Sequence, residues 1–329
     1  MKRAGILLVL LVAEIALFTS ISGNNFDAPG ALLTYLRNYL TDLLAQTAPT
    51  LVVALGMTVI LMASGIDLSI GSSVALISCV LSSFPAGPNF WWTALPAGVA
   101  VGVAAGGLNG FLIARLDVPP IIATLGTMIF YRGLCFVIMG DLEKSPFLDV
   151  AGYESLGQLP GVIALTAIVF LAGGTYFSNS VWRRHILMIG GNRTAARYAA
   201  IPVERRLIEV YVLMGLLAFL AALTFTARNG SVSASSLTGL ELRVIVAVVL
   251  GGTQVQGGSG TILGTVFGVL FIAVLDEGLR GAAVWGAQHL PFRISHLEYV
   301  LLGLLLVFGV TWNTFLQSRG PRTTEPGNV

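Results

Sequence analysis

Few residues of this chain could do bond-making chemistry, and their spacing narrows the choice further. The three histidines, His185, His289 and His296, are not at metal-ligand spacing with one another, and no Ser-His-Asp set or pair of carboxylates stands out. Lys2 and Lys144 are the only lysines. Neither stands in a G-x-x-x-x-G-K-[ST] setting, so the chain carries no phosphate-cradling loop for ATP. Cys79 and Cys135 both lie in apolar runs and read as packing residues, not as a disulfide framework. That leaves ionisable groups within apolar stretches: Glu14, Asp67, Arg132 and Glu277. Such groups could serve as ion sites in a gradient-driven transporter, but these four form no cluster along the sequence.

The elements that must position these residues follow from composition. Hydrophobic residues make up 55% of the 329 and charged residues 10%, against roughly 25% charged in an average soluble domain. The chain is too apolar to be disordered or to cover a soluble surface. With 18 Lys+Arg against 16 Asp+Glu, the net charge of +2 argues against a nucleic-acid partner. An all-α, polytopic transmembrane bundle in the lipid bilayer is the class that remains. Apolar runs of about 20 residues predict spans at 4–21, 47–64, 70–84, 91–114, 120–139, 161–178, 207–227, 241–252, 261–279 and 297–316. The two at 70–84 and 241–252 are short and abut glycine-rich breaks, so eight crossings and ten both stay open. Segment 30–46, interrupted by Arg37, Asp42 and Pro49, reads as a helix lying on the membrane surface. The first span reads as an uncleaved helix, because it contains Glu14 and lacks an A-x-A cleavage site. Glu14 should face the bundle and bond to a neighbouring helix.

Arginine sets the orientation. Arg183, Arg184, Arg193, Arg197, Arg205 and Arg206 cluster in one connection, whereas the 140–160 connection carries Asp141, Glu143, Asp149 and Glu154 against Lys144. The positive-inside rule then predicts both termini in the cytoplasm and an even number of crossings. Residues 1–316 form one membrane domain on this reading, including the cytoplasmic segment 183–206, and 317–329 form a disordered cytoplasmic tail.

Three segments break the apolar pattern. In Ser64–Ser72 a helix runs into Gly65, which can take the left-handed conformation that ends a helix, and Asp67 or Ser69 can cap the next one. Two half-helices meeting at membrane depth must line a cavity or a protein interface; the alternative is a tight turn between ordinary spans. Gly251, Gly252, Gly257, Gly258 and Gly260 make the second break, a re-entrant turn, with Gly264 and Gly268 in register for close helix packing. Both breaks have the form helix, glycine break, helix, a weak internal symmetry. In the third segment Asn192 is a good N-cap for a helix over 193–200, with small residues Ala195, Ala196 and Ala199 on one face; the alternative is an arginine-rich loop against anionic headgroups.

At these segments the sequence resembles a known family. Gly56-Met57-Thr58 followed by Gly65-Ile66-Asp67-Leu68-Ser69-Ile70-Gly71-Ser72 is similar to its G-M-T…G-I-D-L-S-V-G-S run. Asn109-Gly110, Pro120 to Thr127 and Arg132-Gly133 match N-G…P-x-I-x-T-L-G…R-G, and Gly190-Gly191-Asn192 with Ala195-Ala196-Arg197 matches G-G-N-x-x-A-A-R. Gly251 to Gly260 matches the second glycine loop. The family is the membrane permease of bacterial ABC sugar importers of the ribose, xylose, arabinose and autoinducer-2 type, and the likeness covers about residues 45–315.

The resemblance implies a permease, not an enzyme, in the bacterial inner membrane. It implies no cofactor of the chain's own, because ATP is bound by a separate cytoplasmic ATPase. A periplasmic sugar-binding protein delivers the solute, and a second permease copy or paralogue completes the assembly. Helix 192–200, with Gly190, Gly191, Asn192, Ala195, Ala196 and Arg197, is then the element that docks the ATPase. Gly65, Asp67, Ser69, Gly71 and the second glycine loop shape the path, and the sugar is left unnamed. Ser64 and Ala200 depart from the pattern, each standing where the family has glycine. An ion-coupled secondary transporter is the rival reading.

Overall fold

A computed structural model describes residues 2–21, 30–140, 142–145, 147, 150–289 and 297–318. The expected tail 317–329 falls almost wholly outside the described residues. Apart from one short 3-10 turn (Glu154–Leu156) and an isolated bridge between Lys144 and Val232, the described residues form α-helices. They are α1 (Lys2–Ile21), α2 (Ala31–Met62), α3 (Ile70–Ser82), α4 (Phe90–Arg115), α5 (Pro120–Met139), α6 (Gly161–Asn179), α7 (Val181–Gly191), α8 (Arg193–Tyr198), α9 (Val203–Asn229), α10 (Leu240–Leu250), α11 (Ile262–His289) and α12 (Leu297–Ser318).

Six stretches among the described residues are long and apolar enough to cross a membrane: α2, α4, α5, α6, α9 and Ile262–Arg280 of α11. Two shorter apolar ones are Ile70–Ser82 and Val300–Thr311. At ~1.5 Å per residue, α3 and α10 rise only about 20 and 16 Å, less than the ~30 Å of a hydrocarbon core. Neither can cross alone. Both are half-helices, and both adjoin a glycine break.

Segment 30–46 is not a separate surface helix. It is the first half of α2, which continues through Pro49 for 32 residues. Arg37 and Asp42 are exposed, so they do not interrupt the buried face. That face packs instead: Leu43 joins Leu11 of α1 and Val274 of α11, while Ala45 and Ala48 meet Val162 of α6.

The most extensive helix pair is α4 with α9. Gly98, Gly102, Gly106 and Gly110 recur every fourth residue and put one bare stripe of α4 against Phe219, Gly215, Tyr211 and Ile208 of α9. A Cβ on Gly102 would lie 2.5 Å from Gly215 O. In lipid, where apolar burial gives no preference between neighbours, such backbone approach is what drives helices together. The expected packing through Gly264 and Gly268 is present too, against Gly251 and Ala247 of α10.

The arginine-rich connection puts α7 and α8 at one end of the bundle. The opposite end is closed by the 140–160 connection, whose Phe147 and Tyr153 are buried and pack with Phe90. Tyr153 also shares a hydrogen bond with Thr226 Oγ1 at 2.7 Å. Cys79 and Cys135 are free and buried between α3 and α5, as packing residues.

Candidate functional site

The first break is built as follows. α2 ends in a Schellman motif, in which Gly65 N–H donates to Ile60 O (2.9 Å) and Ser64 N–H to Leu61 O (2.9 Å). The left-handed residue is Ser64, at φ 58°, and not Gly65. Gly65 is needed for space: a Cβ there would sit 2.9 Å from Tyr211 Oη and 3.2 Å from Ile60 Cγ2. Gly71 has the same reason, with Glu241 Oε2 and Leu237 O at 2.5 and 2.6 Å from its would-be Cβ. The expectation that Gly65 supplies the left-handed residue is therefore corrected to close approach. The contact at Gly71 also brings the N-terminus of α3 beside that of α10.

Between the helices, Gly65–Ser69 has no regular structure and runs buried or half-buried through the protein. Asp67 is 3% exposed. Its Oδ1 accepts from Ser69 N–H (2.8 Å) and Ser69 Oγ–H (2.6 Å), so it holds the turn before α3, and α3 itself has no side-chain cap. Ser69 Oγ in turn accepts from Asn109 Nδ2 (2.9 Å), and Asn109 Oδ1 accepts from Thr127 Oγ1 (2.7 Å). Three helices and the break are thus joined by one buried polar chain that ends on a carboxylate. Buried polar groups that are fully paired fix geometry, and half-paired ones are costly. Asn109 and Thr127 carried no assigned role in the sequence; their place in the family-like motifs was the available signal.

The second break meets the first. Gly258 N–H donates to Met62 O (3.0 Å), and Thr58 and Thr265 share a hydrogen bond of 2.6 Å between α2 and α11. Gly252, Gly257 and Gly258 take positive φ of 93°, 91° and 74°. Gly251 and Gly260 serve close approach instead, to Gly264 O and to Met62 Cε with Thr253. The pseudo-symmetry is visible with its order reversed: long α2 then short α3 at the first break, short α10 then long α11 at the second.

The third segment reaches both breaks. α7 is a helix the sequence reading did not separate; its signals are Ser180, which caps Arg183 N–H at 3.1 Å, and the buried pair Ile186 and Ile189. Its last turn carries Gly190, where an added Cβ would overlap Met62 O and lie 2.7 Å from Gly258 N. Gly191 has nothing within 4 Å of its would-be Cβ. Asn192 caps α8 as expected, its Oδ1 accepting from Ala195 N–H at 2.9 Å. α8 also ends in a Schellman motif, with Ile201 N–H to Ala196 O (3.1 Å) and Ala200 N–H to Arg197 O (3.0 Å), and Ala200 takes φ 58°. Both departures from the family's glycines thus fall on left-handed residues.

Two expectations about α8 change. Ala196 is 1% exposed and packs inward, so the face open to a partner consists of Ala195, Ala199 and the 88%-exposed Tyr198. Arg197 is not a lone charge, since it pairs with Glu204 at 2.8 Å.

The isolated acids and bases resolve differently. Arg132 Nη1 donates to Ala234 O (2.6 Å) and Ser236 O (2.8 Å), pinning the segment before α10. Glu14 and Glu277, separate in sequence, converge with Tyr39 and Asp276 where α1, α2 and α11 meet. Glu14 faces the bundle as expected, but its Oε2 is buried with no hydrogen-bond partner among the described residues. Asp276 lies 3.3 Å from Arg243 of α10, and Glu277 lies 3.8 Å from Arg280. Among the described residues no three His, Cys, Asp or Glu side chains are placed to hold a metal ion.

Comparison with known proteins agrees with this architecture. Residues 39–310 match the family described as branched-chain amino acid transport system / permease component. The ribose import permease protein RbsC of Escherichia coli (strain K12) is 37% identical over 280 residues, 83% of this chain and 84% of the relative. The autoinducer 2 import system permease protein LsrD of Photorhabdus temperata is 31% identical over 92% of this chain and 89% of the relative. The fructose import permease protein FrcC of Rhizobium meliloti is 29% identical over 95% and 86%. No solved structure matches the chain. With glycine-broken helices, no ATP loop of its own and a match over most of its length, the chain belongs to this family of membrane permease components of ABC import systems.

Proposed function

We propose that the chain forms the path for a sugar or sugar-like solute in a binding-protein-dependent ABC importer, with an even number of crossings and both termini in the cytoplasm. ATP is held by a separate cytoplasmic ATPase, a periplasmic binding protein delivers the solute, and a second copy or paralogue completes the path. Relatives named as ribose and fructose import permeases support a sugar as the solute.

The observation that carries the coupling is the junction at Gly190. α8 is a capped, exposed helix at the arginine-rich end, and α7 joins it directly to the place where the two breaks touch. A push on α8 therefore reaches Met62 and Gly258 through backbone contacts that have no slack. Gly65, Asp67, Ser69, Gly71, Gly251, Gly252, Gly257, Gly258 and Gly260 shape the path on this reading.

The test uses the full chain co-expressed with its ATPase. Ala199→Trp places bulk on the exposed face of α8 and should abolish co-purification and labelled-sugar uptake, with membrane insertion unchanged. Arg184→Gln, outside α8, should preserve both. Wild-type uptake by Ala199→Trp would remove α8 from the coupling role, and uptake of leucine in place of pentoses and hexoses would overturn the solute class.

A further inference from the structure

We propose that the wedge between α6 and α9 binds one anionic phospholipid from the leaflet at the arginine-rich end. The wedge is a cavity of about 770 Å³. Leu55 and Val59 of α2 form its back wall, and it opens on the flank of α6. α6 buries 17% of its most apolar stretch within the chain, against 83% for α2 and 67% for α9, which places it at the perimeter.

Polarity changes along the wedge in the direction that a lipid requires. Its deep part is aliphatic, with Leu213 and Leu217 of α9. Its floor is Ser180, Trp182, Arg206 and Glu209. From Leu217 to Arg206 helix α9 rises about 16 Å, which matches one leaflet of a ~30 Å hydrocarbon core. Trp182, with an apolar ring and a polar edge, stands where tryptophans sit in membrane interfaces.

The floor carries more positive charge than the chain itself satisfies. Glu209 is the sole carboxylate there, and it is shared by Arg205 (2.9 Å), Arg206 (2.7 Å) and Trp182 Nε1 (2.9 Å). Arg206 Nε is buried and donates to no acceptor among the described residues. Arg183 and Arg184 follow Trp182 in the first turn of α7. A phosphodiester at this floor would pair with the part-exposed Arg206 side chain and offset the excess, while an acyl chain fills the aliphatic part. A free phosphate would leave that part empty.

The inference stands apart from the transport reading, and its experiment needs no ATPase. The full chain is equilibrated in vesicles of equal phosphatidylglycerol and phosphatidylcholine, and retained lipid is read by native mass spectrometry. Wild type should retain phosphatidylglycerol about tenfold over phosphatidylcholine, the size expected for one or two arginines at a membrane surface. Gly173→Phe enters the wedge at an open position, where the nearest side-chain atom is Leu55 Cδ1 at 3.9 Å, and should lose both lipids. Val169→Trp does the same if that variant does not insert. Arg206→Gln should retain lipid with little preference, and Arg206→Lys should restore the preference. No retained lipid in wild type, equal retention of the two lipids, or undiminished retention by both plugging variants would overturn the proposal. So would a dimer that the plugging variants dissociate, which would assign the wedge to a second copy of the chain.

Discussion

Adjacent glycines in the Gly190-Gly191-Asn192 run offer a contrast whose size can be worked from the structure. At Gly190 an alanine methyl would overlap Met62 O and approach Gly258 N to 2.7 Å. Both are backbone atoms, and they are already bonded to each other at 3.0 Å. No side chain can swing away, so α7 must retreat or that hydrogen bond must open. Overpacking of this kind costs about 1–3 kcal/mol, and the lost bond adds about 0.5–1.5 kcal/mol. Gly190→Ala should thus cost about 2–4 kcal/mol. Gly191→Ala meets nothing within 4 Å and lies in helical conformation, so it should be neutral or stabilising by about 0.5–1 kcal/mol. The midpoint of detergent-induced unfolding, followed by circular dichroism, reads both variants. Uptake by the assembled transporter then tests the mechanism: Gly190→Ala should impair it and Gly191→Ala should not. Equal midpoints for the two variants would refute the claim that α7 and the two breaks interlock at Gly190.

Three further outcomes are expected, the first two from the same unfolding assay. Ala200→Gly and Ser64→Gly should each stabilise by about 0.5–1 kcal/mol, because a non-glycine residue in the left-handed region costs ~1–2 kcal/mol and glycine returns part of that as backbone entropy; Ala200→Val should destabilise, and the opposite order would remove the strain argument. Asn109→Leu should cost about 1–3 kcal/mol, since it removes two buried hydrogen bonds, to Ser69 Oγ and from Thr127 Oγ1, at about 0.5–1.5 kcal/mol each, whereas Thr127→Val should cost less. Arg132→Met removes two charge-assisted bonds to Ala234 O and Ser236 O, each worth ~1.5–3 kcal/mol; limited proteolysis between 230 and 239 should accelerate, and an unchanged cleavage rate would show that this segment is held by other contacts.

Local chemistry was legible in the sequence wherever a single residue type decides the backbone. Asn192 reads as an N-cap and is one. The second glycine loop reads as a re-entrant turn and contains three glycines with φ that L side chains rarely adopt. Gly264 and Gly268 read as a packing face and lie on Gly251 and Ala247. What failed depended on which side of a helix faces the bundle. Pro49 and the charges of Arg37 and Asp42 looked like interruptions, yet both charges lie on the exposed side of one continuous helix. Ala196 looked like part of an open small face and is buried, since in a helix that ends by turning back at Ala200 the inner side is fixed by the next helix. Glu14 and Glu277 are 263 positions apart, and nothing local says that α1 and α11 bring them beside Tyr39. The fourfold glycine repeat of α4 was in plain sight, and its period of four residues is the helix-packing signal that could have paired α4 with a partner in advance.

Two of the four non-glycine residues with positive φ among the described residues, Ser64 and Ala200, bear on where the chain can move. Ser64 closes α2 and Ala200 closes α8, each in the same pair of hydrogen bonds. Strain of this order persists only where the surroundings over-determine the backbone, and it tends to gather at sites that switch. Here the surroundings can be named. Ser64 is held between Met62, whose carbonyl accepts from Gly258, and Gly65, which lies under Tyr211 of α9. Ala200 is held between the buried Ala196 and Val203 at the head of the same α9. One helix therefore fixes both strained turns, and α7 joins them through Gly190. The second break, by contrast, uses glycines at its positive-φ positions, Gly252, Gly257 and Gly258. On the proposed coupling role, a displacement of α8 would pass through α7 to the backbone contacts of Gly190 with Met62 and Gly258, and the second break and the irregular run Gly65–Ser69 are the segments beside those contacts. Those two segments flank the half-helices α10 and α3, whose N-termini approach each other at Gly71 and Leu240, so on the proposed coupling a movement that begins at α8 would change the spacing of those two ends.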